Sequence, residues 1–103
     1  MKPFRIPISF HAIGRIIKVK IDHQLIEDEG DDGQYLIHKD LIKLQSPDIL
    51  KRPMHQLEIA FFHEVTHCTF HVLREYELRD NEKLVEQVGA TLHQIFTTME
   101  YED

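Results

Sequence analysis

MHQLEIAFFHEVTHCTFHVLREY, residues 54–76, contains neither glycine nor proline. Its apolar residues recur every three to four positions, which predicts one long helix over 53–76. Ser46-Pro47-Asp48 breaks the chain ahead of it, and Pro53 stands where a helix can begin. At about 100° per residue, Leu57, Phe61, Val65, Cys68 and Val72 share one flank of the helix, and Ile59, Phe62, Phe70 and Leu73 share another. A helix apolar on two flanks is central and packs on both sides. Between the flanks runs a polar seam of His63, Glu64, His67, His71 and Arg74.

Downstream, Arg79-Asp80-Asn81 is a polar break, and Asp80 or Asn81 suits the N-cap of a second helix over 81–98. Leu84, Val85, Val88, Leu92, Ile95, Phe96 and Met99 form its apolar face. Glu82, Glu86 and His93 line up beside that face, next to Gly89, whose missing side chain would let two helix backbones approach closely. Upstream, residues 1–45 carry strand signals. In Arg15–Asp22, Ile17, Val19 and Ile21 alternate with Lys18, Lys20 and Asp22, the period of a half-buried strand. Ile6–Phe10, Tyr35–Ile37 and Leu41–Leu44 are short apolar runs, and Gly14 and the acidic Glu27–Gly33 stretch suit turns. The expectation is one α+β domain over 1–103: a small antiparallel sheet of three to four strands, then two helices.

The chain has 103 residues and a formal net charge of −6, which suits a single modest core. No run of lysine or arginine supplies the basic face that nucleic acid needs, so no nucleic-acid partner is expected. One cysteine excludes an internal disulfide framework. Met1–Pro7 contains no continuous apolar stretch, and no segment approaches the roughly 20 apolar residues of a membrane span. The expectation is therefore a cytoplasmic protein with no membrane partner. The acidic stretch is not a calcium loop: with Asp28 as first ligand, the third position is Gly30 and the twelfth Lys39, where carboxylates are required.

His63-Glu64-Val65-Thr66-His67 carries the chemistry. Residues four apart project from one helical face, so the two imidazoles can reach one metal ion. The intervening Glu64 points elsewhere around the axis and is placed to take a proton as general base. A catalytic zinc site needs a third protein ligand, and Glu82 and Glu86 are the candidates. Glu82 lies nearer the apolar face. Glu86 would otherwise accept a hydrogen bond from the free ring nitrogen of His63 or His67. His71 sits one turn too far along an unbroken helix, Cys68 faces away as a small buried hydrophobe, and His11, His23, His38 and His55 converge on nothing.

His63–His67 followed by Asn81-Glu82-Lys83-Leu84-Val85-Glu86 resembles the gluzincin clan of zinc metallopeptidases. In outline the chain is similar to the minigluzincins and to small metallopeptidase-like proteins of tailed phages and prophages. The resemblance implies a minimal zincin-like core, with Zn2+ on His63, His67 and Glu82 and with Glu86 orienting a histidine. It further implies hydrolysis of a peptide or protein substrate extended along a sheet edge, in the host cytoplasm for a phage-encoded protein. His93 is the one side chain the sequence offers as an oxyanion stabiliser. The other expectation is a non-catalytic, zinc-stabilised binding or assembly module, in which metal binding supplies folding energy to a small domain.

Overall fold

The computed structural model describes residues 3–47 and 53–102; Asp48 of the expected break lies outside them. The alternating stretch is strand β2 (Arg15–Asp22), paired antiparallel with β1 (Ser9–Ala12). Ile13 and Gly14 join them, both at positive φ (46° and 77°), the backbone of a tight two-residue hairpin turn. After β2 the acidic stretch does not form a plain hairpin loop. Leu25–Glu29 makes a short helix, α1, stopped by Gly30 in the left-handed conformation. Strands β3 (Gly33–Leu36) and β4 (Leu41–Gln45) then pair antiparallel across a 3-10 turn at Ile37–Lys39.

The fold is α+β, but its sheet is mixed rather than wholly antiparallel. Strand order is β1-β2-β4-β3, and β4 runs parallel to β2. A parallel neighbour requires a crossover, which α1 and β3 provide. The physical reason lies in the strand compositions. Leu41-Ile42-Lys43-Leu44 buries Ile42 and Leu44 completely, so it takes an interior position in the sheet. The sparser Gly33-Gln34-Tyr35-Leu36, with no fully buried residue, is left at the edge.

The long helix, α2 (Met54–Val72), lies over β3 and β4. Its Leu57, Phe61 and Cys68 join Ile17, Val19, Ile42 and Leu44 in the core. Ile21, further along β2 from Ile17 and Val19, stays 44% exposed. The second apolar flank of α2 is only partly used: Phe62 is buried, whereas Ile59 and Leu73 are not. The helix ends before Tyr76. Arg74 takes a positive φ, and the Glu75 and Arg74 amides turn back to the Phe70 and His71 carbonyls. These bonds satisfy the orphan carbonyls of the last turn without a glycine.

A single-turn helix, α3 (Tyr76–Arg79), leads to α4 (Glu82–Thr98). Asn81 is its N-cap, accepting a hydrogen bond from the Leu84 amide at 3.0 Å. α4 crosses α2 at Gly89, where an added Cβ would stand 3.0 Å from His63 Cα. The buried stripe of α4 is Val85, Gly89, His93 and Thr97, and Ile95 and Phe96 are about half exposed. His93 is thus a core residue. Its Nε2 pairs with Glu58 Oε1 at 2.8 Å, and Glu58 Oε2 accepts the Phe4 amide at 3.2 Å. Among the described residues, no helix is long and apolar enough to cross a membrane.

Candidate metal centre

α2 presents His63 and His67 on successive turns. Asn81 starts α4 so that its first residue, Glu82, faces them. His63 Nε2 lies 3.1 Å from Glu82 Oε2, and His67 Nε2 lies 3.0 Å from Glu82 Oε1. One donor atom from each of the three residues falls within 4.8 Å of the others, so the group could hold a metal ion. Donors at about 2.0 Å from a tetrahedral ion stand about 3.3 Å apart, near the 3.1 and 3.0 Å that separate each imidazole from a Glu82 oxygen.

The donor chemistry fits a cation as well. The Nδ1–H of His67 donates to the Arg79 carbonyl at 2.7 Å. That bond turns Nε2 toward Glu82 and leaves it the lone pair of a neutral imidazole. The ring therefore meets an acceptor at each nitrogen while holding one proton when neutral. A cation between Nε2 and the carboxylate resolves that conflict without protonating the ring. A backbone carbonyl thus does for His67 what the sequence assigned to Glu86. No hydrogen bond joins Glu86 to either imidazole among the described residues, and Glu86 lies outside the ligand group. Any residue at position 79 has a carbonyl, so no sequence signal marked this contact.

Glu64 is 7% exposed, and among the described residues its carboxylate has no hydrogen bond or ion pair. It lies against the backbone of β3: a Cβ at position 33 would come within 3.1 Å of Glu64 Cγ and 3.2 Å of Oε2. Gly33, legible in the sequence only as half of an Asp-Gly turn, is the space that admits the side chain. Burial, then the nearby Glu82 and Asp31 charges, push the Glu64 carboxyl up to about 8 in the metal-free protein. Glu64 and all three metal-group residues border one open cavity of about 370 Å³, walled on its far side by Gly33–Leu36 of edge strand β3.

The remaining sequence candidates stand apart. His71 accepts a hydrogen bond from Arg79 Nη1 at 2.9 Å, and burial and the Arg79 cation lower its pKa. Cys68 is 1% exposed, and burial pushes its thiol up, away from nucleophilic use. His11, His23, His38 and His55 are exposed and belong to no metal-ligating group among the described residues. His93, paired with Glu58 in the core, cannot act as an oxyanion stabiliser. The structure reveals two partnerships that the sequence reading missed, Glu58 with His93 and His67 with the Arg79 carbonyl. Only the first left a trace, a glutamate set among apolar residues of α2. Compared with models of protein families, with curated proteins and with solved structures, the chain matches none.

Proposed function

We propose that this protein is a zinc-dependent peptidase of the gluzincin type, with His63, His67 and Glu82 as metal ligands and Glu64 as general base. One observation carries the reading: a buried carboxylate without a partner borders the same cavity as a convergent His-His-Glu group. Burying an unpaired carboxylate costs stability, and such groups concentrate where a proton must be moved. A zinc ion bound there supplies Lewis acidity, acidifying water and polarising a carbonyl oxygen. The Arg79 carbonyl holds the His67 ring in its ligating tautomer. The free edge of β3 offers main-chain groups to an extended peptide. A Glu64 carboxylate oxygen takes the proton of the attacking water and returns it to the departing amine.

The test uses three variants. Glu64→Gln keeps about one zinc per chain and loses peptide hydrolysis. Glu82→Gln loses the zinc, and Glu86→Gln keeps it, measured by plasma mass spectrometry on untagged protein. Zinc retained in Glu82→Gln, or turnover retained in Glu64→Gln, overturns the assignment.

A second reading is a non-catalytic module held together by zinc. It is favoured by the engagement of the side-chain donors around the site: Arg79 is bonded to Asp80 and His71, and His93 to Glu58. Under this reading zinc raises the melting temperature, and Glu64→Gln changes no function.

A further inference from the structure

Beyond His63, toward the N-terminal end of α2, the cleft continues into an arm of about 350 Å³. Ile59, 39% exposed, and Ala60 provide its apolar lining, and Gln56 lines it as well. Asp31 and its neighbour Asp32, just before β3, border it from one side and Glu86, one turn into α4, from another, and all three are exposed. Glu64, buried and unpartnered as described, lines this arm as well as the central cavity. Among the described residues, no lysine or arginine lines the arm, and neither Asp31 nor Glu86 is paired with a cation. Asp31 receives only a long amide contact from Gln34, at 3.5 Å. The opposite arm, past His67, differs in kind. It is lined by Tyr35, Ile37 and an Arg79 whose guanidinium is bonded to Asp80. The cleft is therefore asymmetric in charge about the metal group.

We propose that the arm bordered by Asp31 and Glu86 is a subsite for a lysine or arginine side chain of a peptide bound in the cleft. The inference rests on the peptidase reading above and names its substrate class. A long cationic side chain lays its methylenes on Ile59 and Ala60 and carries its charge to the two carboxylates. The arm lies on one side of the metal group only, so the preference falls on one side of the cleaved bond.

The zinc-loaded protein is incubated with a mixture of proteome-derived peptides in low salt, and the new termini are read by mass spectrometry. Lysine and arginine are enriched about fivefold at one position beside the cleaved bond, the effect of two partly exposed ion pairs. The enrichment falls to background in the Asp31→Asn/Glu86→Gln double variant. Cleavage without basic enrichment, or enrichment that survives in the double variant, overturns the subsite and leaves the peptidase reading intact. Absence of any cleavage overturns the peptidase reading instead, and binding then decides the subsite. The zinc-loaded protein is titrated with a fluorescent alanine pentapeptide carrying one central lysine, and with its glutamate counterpart. Binding at least about fivefold tighter for the lysine peptide, lost in the double variant and at high salt, supports the subsite. Equal affinities overturn it.

Discussion

Gly89→Ala is the most direct test of how α4 brings Glu82 to the histidines. At an ordinary helix position this change stabilises by about 1 kcal/mol, because alanine loses less backbone freedom on folding. Here the added Cβ would stand 3.0 Å from His63 Cα, 3.1 Å from His63 N and 3.2 Å from the Phe62 carbonyl carbon. All three belong to helix backbone, which cannot swing aside as a side-chain tip can. Restoring ordinary contact separates α2 from α4 by about 0.4 Å, enough to forfeit roughly a quarter of the dispersion energy between facing atoms. Overpacking of this kind costs about 1–3 kcal/mol, so the net effect is a loss of about 1 kcal/mol. For a chain this short that lowers Tm by about 4–6 °C. Ala90, exposed on the same helix, supplies the control: Ala90→Gly loses about 1 kcal/mol through propensity alone. Glu82 lies on α4 two turns before Gly89, so the same separation draws it from His63 and His67. Zinc affinity falls about tenfold, the lower end of the effect of disturbing a ligand's support. Thermal and urea unfolding of the metal-free proteins, with zinc titration alongside, measure both effects. A Gly89→Ala protein that gains stability and keeps its zinc affinity refutes the idea that a tight helix crossing builds the site.

Glu64→Gln stabilises the metal-free protein at pH 7 by about 1–3 kcal/mol, because the neutral amide keeps the shape and spares the native state the proton it must otherwise take up on folding. The sign follows from the raised carboxyl, shifted from 4.5 to about 8 by burial and by the Glu82 and Asp31 charges. The native state holds this proton more tightly than the unfolded chain does. The stability it supports is complete below about pH 4.5 and is lost as pH rises toward 8. Urea midpoints of wild type and variant therefore coincide near pH 4 and diverge by pH 8; parallel curves across that range contradict it. Glu58→Ala leaves His93 and the Phe4 amide unpaired in the core and costs about 3 kcal/mol. Replacing the pair together, as Glu58→Met/His93→Leu, costs far less, and the double-mutant cycle reads the difference.

The buried carboxylates divide into two kinds. Glu58 is as buried as Glu64, at 4% against 7% exposed, yet it has His93 and the Phe4 amide as partners and ties the N-terminal segment to α4. Glu64 has no such partner and faces a cavity. The first placement is explained by packing and hydrogen bonding alone. The second adds nothing to folding, which is why it supports a chemical role.

Local chemistry alone was enough for much of the molecule. The absence of glycine and proline over 54–76, the i to i+4 spacing of His63 and His67, and the alternation of Arg15–Asp22 are properties of a helix or a strand wherever it packs. So is the capping of α4, read from the sequence as Asp80 or Asn81 and found at Asn81, because the cap bonds to its own helix. Gly89 was legible for the same reason: a glycine inside a good helical pattern asks for a close neighbour. Tertiary structure decided the rest. The parallel seating of β4 beside β2 depends on which strand buries the most apolar surface when several compete for the interior of the sheet. Which of Glu82 and Glu86 faces the two histidines depends on the position of α4 along α2. The helical wheel could not supply it, because both residues share nearly one face. His93 shares their side of α4 as well, but lies deep enough along the crossing to meet Glu58 in the core. The Arg79 carbonyl and the space over Gly33 are backbone features, identical in sequence terms at almost any residue. They acquire meaning only when the chain returns to the same place.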